Sequence, residues 1–285
     1  MIHAASLANN LERTSSRNID ARIVSGHPSQ RAFLCVSMLL FAASAAGTIV
    51  WCKFMSAMGE MPMPGGWTMS MMWMRMPGET WLGAGASFLG MWIVMMVAMM
   101  LPSLVAMLLR YRQAGGKAGE RHLGRLTMLV GIGYFFVWTL IGMAVFPLGT
   151  ALAAVEMQHP ALARSLPIAV GLVVLIAGGL QFTAWKAHHL VCCREAPGRG
   201  RTVPADGGTA WRHGLLLGLH CSYCCAGPMV ILLVIGIMDL RAMAVVAAAI
   251  TVERLAPAGE RVARAIGTVV VGAGLFLVAR ASAFG

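Results

Sequence analysis

Apolar residues run in long blocks along this chain, separated by short polar segments rich in Arg, Gly and Pro. Seven blocks stand out, at 33–51, 82–109, 126–154, 166–190, 214–236, 241–255 and 263–280. A helix needs about 20 such residues to cross the hydrocarbon core of a bilayer. At that depth every backbone polar group must find an internal partner, so each block is predicted to be a helix. The second, third and fourth blocks exceed the spanning length, which implies tilt or ends that leave the membrane. The sixth is short, so the count is about seven, or six without it. The expected fold class is all-α: a polytopic transmembrane helix bundle. Residues 1–30 read as a disordered cytoplasmic tail, and 31–285 as one transmembrane helical domain with a Met-rich outer loop at 52–80. Abundant Gly and Ala suit close helix approach in lipid. Gly171, Gly178 and Gly179 are read as packing glycines.

Composition sharpens this picture. Of 285 residues, 58% are apolar and 12% charged, against about 25% charged in a soluble domain. Disorder is excluded, since it needs low hydrophobicity and high charge. The net charge of +11 matters through its placement. Arg13, Arg17, Arg22 and Arg31 precede the first block, which is too long for a signal-peptide core and lacks an obvious cleavage site. Further basic clusters follow the second block (Arg110 to Arg125), the fourth (Arg194 to Arg212) and the sixth (Arg254, Arg261, Arg264). Seven crossings put 16 basic residues on one face and five on the other: Lys53, Arg75, Arg164, Arg241 and Arg280. By the positive-inside rule the N-terminus is cytoplasmic and the C-terminus outside, in a bacterial inner membrane. The basic loops are too short for a folded nucleic-acid surface. No nucleotide-binding fingerprint is present, so the chain carries no ATP-driven pump of its own.

Two concentrations of soft donors stand out. The fourth block ends His188-His189-Leu-Val-Cys192-Cys193, and the fifth carries His220-Cys221-Ser-Tyr-Cys224-Cys225. Each tetrad occupies relative positions i, i+1, i+4 and i+5. At about 100° per residue, each falls on one helical face of roughly 140°. Isolated cysteines in helices are ordinary small packing residues, and Cys35 and Cys52 are read that way. Eight thiols and imidazoles in two matching tetrads on consecutive helices point instead to a metal or redox centre. His188 and Cys192 fit least well, because one face cannot aim four groups at a single ion. Thiolate with imidazole suits Cu(I), Zn(II) or an iron–sulfur centre. Gln181, Lys186 and Glu253 are candidates for a supporting shell, since ionisable groups inside a span are functional candidates.

The second concentration is thioether. Residues 52–80 hold nine Met, of which Met61, Met63, Met69, Met72, Met74 and Met76 are candidate outer ligands for a soft ion. Thioethers favour Cu(I) over Zn(II). The plainer alternative is an interfacial segment anchored by Trp, with Met against lipid. Met91, Met95, Met96, Met99 and Met100 read mainly as helix packing.

These motifs resemble a family of bacterial predicted metal-binding integral membrane proteins, a domain of unknown function with a transmembrane Cys-x-x-Cys-Cys motif. The resemblance covers roughly 90–257. It rests on Ala98-Met99-Met100-Leu-Pro102, on Gln181, Lys186, Cys193, Arg194 and Pro197, on Cys221, Cys224, Cys225, Met229, Gly236 and Met238, and on Glu253-Arg254. His189 stands where the family has Cys, and Ala226 where it has Trp. The resemblance implies metal binding without naming the ion. The expected function is binding and handling of a soft transition metal, copper above others, rather than enzymatic catalysis. The expected partners are lipid, the metal ion and a periplasmic metal-carrying protein, with no nucleic acid. A membrane thiol–disulfide oxidoreductase using Cys221 and Cys224, or a non-catalytic assembly subunit, are the rival readings.

Overall fold

The computed structural model describes residues 28–57, 59–63, 67–75, 78–114, 120–194 and 206–284. Eight α-helices make up nearly all of them: α1 (Pro28–Ala57), α2 (Trp81–Ala114), α3 (Glu120–Gln158), α4 (Pro160–Leu180), α5 (Ala184–Arg194), α6 (Gly207–Ile235), α7 (Leu240–Leu255) and α8 (Gly259–Phe284). The fold class is an all-α helical bundle. Six helices, α1, α2, α3, α4, α6 and α8, are long and apolar enough to cross a membrane. The block at 241–255 forms α7, whose 16 residues span about 24 Å, short of the ~30 Å hydrocarbon core.

The chain divides into two units, Met1–Leu39 and Leu40–Gly285. The described part of the first is the start of α1. The second holds the functional residues and the helices that pack around them. The expected tail at 1–30 lies outside the described residues except for its last three positions, which are helical. The basic stretches 115–119 and 195–205 also lie outside them.

Within the second unit, α3 pairs with α6 and α4 with α8, and both pairs approach closely through glycine. A Cβ on Gly133 would stand 2.9 Å from the Trp211 carbonyl oxygen, and one on Gly218 would stand 2.9 Å from that of Tyr134. Gly214, four residues before Gly218, meets the Val130 backbone still more closely. Gly171 and Gly178 face the backbone nitrogens of Val278 and Val271, and Gly274 faces that of Leu175. Small residues let helix backbones touch where hydrocarbon solvent offers no hydrophobic drive. Gly179 differs from the expectation: a Cβ there would meet nothing within 4 Å, because it lies one helical step off the α8 seam.

The expected fourth helix does not run through to 190. It stops at Leu180, turns through Gln181–Thr183, and resumes as α5. The Thr183 hydroxyl accepts a hydrogen bond from Lys186 N at 3.3 Å, capping the new helix. α6 starts at an Asp206 cap whose carboxylate accepts from Thr209 N at 3.2 Å. It ends at Gly236, whose φ of +132° only glycine adopts readily. Asp239 then caps α7, accepting from the backbone N–H groups of Arg241 and Ala242.

The Met-rich segment is structured rather than an open loop. α1 extends to Ala57, and β1 (Glu60–Met63) pairs antiparallel with β2 (Trp67–Ser70), setting Met61 opposite Met69. A single 3₁₀ turn follows at Met71–Trp73. Met61 and Trp73 pack on Ala153 and Ala163 at the α3–α4 junction.

Candidate metal centre

The centre is assembled from α5, α6 and α7, with two side chains from α2 and one from α3. On α5, Lys186, Leu190 and Cys193 follow an i, i+4, i+7 stripe, and all three are buried. That stripe faces α6, where Cys221, Cys224 and Cys225 are also buried. The Sγ atoms of Cys193 and Cys224 lie 3.5 Å apart, those of Cys224 and Cys225 3.6 Å, and those of Cys221 and Cys225 3.9 Å. All four cysteines are free thiols, each at most 1% exposed. In a tetrahedral thiolate site with bonds of about 2.3 Å, the sulfurs stand about 3.8 Å apart. Among the described residues no group of three or more His, Cys, Asp or Glu side chains is already converged on one metal position. The three Sγ–Sγ contacts fall close to that separation.

Around the thiols sits a buried polar shell. The Tyr134 hydroxyl on α3 lies 2.8 Å from Cys221 Sγ. Lys186 Nζ donates to the Cys224 carbonyl oxygen and pairs with Glu253 Oε2 at 2.8 Å. Arg254 donates from Nη1 to Ser103 Oγ at 2.8 Å and from Nη2 to Met107 Sδ at 3.8 Å. It is 1% exposed. No carboxylate among the described residues lies within ion-pair distance of it, since Glu253 faces Lys186. An unpaired buried cation is costly, and the hydrogen bonds to Ser103 and Met107 offset part of that cost. Two polar atoms of this shell, Glu253 Oε1 and Arg254 Nε, have no hydrogen-bond partner.

The eight residues expected in one cluster separate into two groups. The thiol tetrad is Cys193, Cys221, Cys224 and Cys225. Beside it, toward the surface, His189 Nδ1 lies 3.3 Å from His220 Nδ1, and both rings are half-buried. His188 is exposed and lies with its Nε2 3.7 Å from Cys192 Sγ on the same helix. Trp185 and Tyr223 flank His189, with ring centroids 4.8 and 5.0 Å away. Partial burial, helped by the neighbouring imidazoles, holds the His189 ring below the usual histidine range.

Lys186 and Glu253 reach the thiol cluster, and Gln181 does not. Gln181 is buried at the α4–α5 turn with Oε1 unpartnered. Among the methionines, Met61, Met72 and Met74 are half-buried, Met63 and Met69 lie on the two strands, and Met76 falls outside the described residues. Sequence reasoning missed Tyr134, Ser103 and Met107, and counted Arg254 both among the basic residues after the sixth block and, with Glu253, in the family motif. One signal was available: the chain has only three Tyr, and Tyr134 lies in the middle of an apolar block. α6 begins at Gly207, so Cys221 stands about 21 Å along it.

The bundle therefore holds four buried free thiols close together on two of its helices. The chain belongs to the PpoB2 family of copper chaperones, whose pattern matches residues 89–277, about two thirds of the sequence. That stretch contains every thiol of the tetrad and both buried cations. No curated protein and no solved structure matches the chain. Copper handling is therefore the general function, and a chaperone family is non-catalytic, in keeping with the expectation of no enzyme activity.

Proposed function

We propose that this chain is a polytopic inner-membrane copper carrier that holds Cu(I) at Cys193, Cys221, Cys224 and Cys225 between receipt and delivery. The observation that carries this reading is the tetrad itself: four free thiols from two helices, linked by Sγ–Sγ contacts of 3.5, 3.6 and 3.9 Å and shielded from solvent. Soft sulfur donors select Cu(I) over harder ions. Each bound thiolate adds negative charge in a low-dielectric interior, and the buried guanidinium of Arg254 on α7 is a cation available to offset it. Lys186, held by Glu253, orients the Cys224 backbone.

The membrane assignment is supported by a surface that inverts the soluble pattern. Lys186, Glu253, Arg254 and Gln181 are inside, while Phe54, Leu148, Ile176, Val269 and Phe276 face outward. Contiguous apolar surface on this scale marks contact with lipid or a partner. With α7 counted as a short seventh crossing, the basic loops stay on the cytoplasmic side and the C-terminus is outside. The Met-rich hairpin then faces the periplasm, where it meets a metal-carrying protein that exchanges copper with the chain.

The test is metal analysis of the protein purified anaerobically in detergent, with X-ray absorption at the copper edge. Copper bound mainly through sulfur, and lost from the Cys221→Ser/Cys224→Ser/Cys225→Ser variant, is the expected result. Wild-type protein that takes up no Cu(I), or holds it without sulfur ligands, would overturn the proposal.

A further inference from the structure

The imidazoles beside the tetrad form a unit of their own. His189 on α5 and His220 on α6 face each other through Nδ1 at 3.3 Å. Their backbones are held by different helices, so the pairing is not a consequence of sequence adjacency. Both rings reach partial exposure, whereas the four tetrad cysteines are at most 1% exposed. Trp185 and Tyr223 wall the pair on its flanks, and His188 stands outside it with its ring 5.3 Å from that of His189. The pair is also adjacent to the tetrad. His220 precedes Cys221 directly, and His189 lies one helical turn before Cys193.

The geometry points to a second copper site, the facing pair His189–His220, that receives Cu(I) at the surface and passes it to the buried thiols. This inference rests on the reading of the chain as a copper carrier. Two nitrogens suffice for Cu(I), a d¹⁰ ion that accepts two-coordinate geometry, whereas structural Zn(II) demands four ligands. With metal–nitrogen bonds of about 2.0 Å, a linear arrangement places the nitrogens about 4 Å apart. The present separation therefore needs to open by only about 0.7 Å, within the reach of small side-chain rotations. A neutral two-imidazole site holds Cu(I) more weakly than a set of thiolates, which gives the ion a direction of travel.

The handover is a ligand exchange with no change of oxidation state. A Cu–N bond breaks as a Cu–S bond forms, and the proton leaving the thiol is taken up by the released imidazole. No external reductant or oxidant is required. Trp185 and Tyr223 pack against His189 beside the path of exchange, and the break at Gln181–Thr183 makes α5 a helix separate from α4.

The experiment is Cu(I) titration of the purified full chain against a soluble Cu(I) chelator, read as stoichiometry, exchange rate and copper-edge absorption. Wild type is expected to bind two equivalents, one extracted rapidly and carrying nitrogen ligands, the other extracted slowly and carrying sulfur. His189→Ala/His220→Ala is expected to lose the rapid equivalent and to load the slow one at least tenfold more slowly. Cys221→Ser/Cys224→Ser/Cys225→Ser is expected to keep the rapid one, so failure of the thiol reading alone leaves this site standing. A histidine double variant with unchanged stoichiometry and loading rate would sink the inference. So would a rapid equivalent that disappears with the thiols in a variant still folded by circular dichroism.

Discussion

The thiol centre and the Met-rich hairpin are both dense in sulfur, yet the structure uses that sulfur in opposite ways. At the centre, four cysteines are sealed from solvent and backed by Tyr134, Arg254 and the Lys186–Glu253 pair. At the hairpin, Met61 packs on the alanines of the α3–α4 junction, while Met72 and Met74 lie half-buried with no ionic support described around them. The hairpin also precedes the stretch 89–277 that matches the copper chaperone family. Sulfur content alone therefore does not make a metal centre. Burial and countercharge turn a group of donors into one that can retain an ion, whereas half-exposed thioethers suit brief contact or simple packing.

This comparison can be broken most forcefully at its ion pair. Lys186→Met leaves Glu253 buried and uncompensated, which costs about 3–5 kcal/mol. Thermal unfolding in detergent should show a large drop, with most of it recovered in Lys186→Met/Glu253→Gln. A single variant as stable as wild type would remove the shell from the account. Next in size is Arg254→Met, which keeps an unbranched apolar stem and removes the buried positive charge beside the centre. Loss of such a supporting group typically lowers metal affinity about 10–100-fold, and competition with a Cu(I) chelator measures it. Unchanged affinity would show that the guanidinium only fills space.

The hairpin gives the smaller effects. Met61→Ala removes a half-buried contact and should cost about 1 kcal/mol, below the range for fully buried methionines, with retained copper unchanged. Met72→Leu/Met74→Leu conserves volume and should shift stability by less than about 0.5 kcal/mol. Slowly exchanging copper should be unaffected by it. If that double variant instead abolished retained copper, the hairpin would have to join the centre, and the contrast between the regions would fail.

Much of this was legible along the chain. Run length and apolar content marked the six long helices, because a helix satisfies its own backbone and needs no distant partner. The spacing of Cys221, Cys224 and Cys225 put three donors on one helix by local geometry alone. Asp206 and Asp239 stood where helix caps were needed. The α4–α5 break was not legible, since Gln181-Phe182-Thr183 contains neither Gly nor Pro, and the apolar block passes through it. Nor was the division of eight ligands into thiols and imidazoles. Helical spacing places His189 and Cys193 on the same side of α5, and only the crossing of α5 over α6 decides which of them is sealed.

What the sequence determined by itself was local: which stretches are helical and which soft donors share a turn. The tertiary structure decided what those donors meet. Tyr134 and Cys221 are 87 residues apart, and Arg254 and Ser103 are 151 apart. Such contacts depend on how α3 and α6 pack through their glycine seam and on how α7 lies against α2. Periodicity within one helix carries no information about the partner across a seam, so the countercharge of the centre emerges only when the bundle closes.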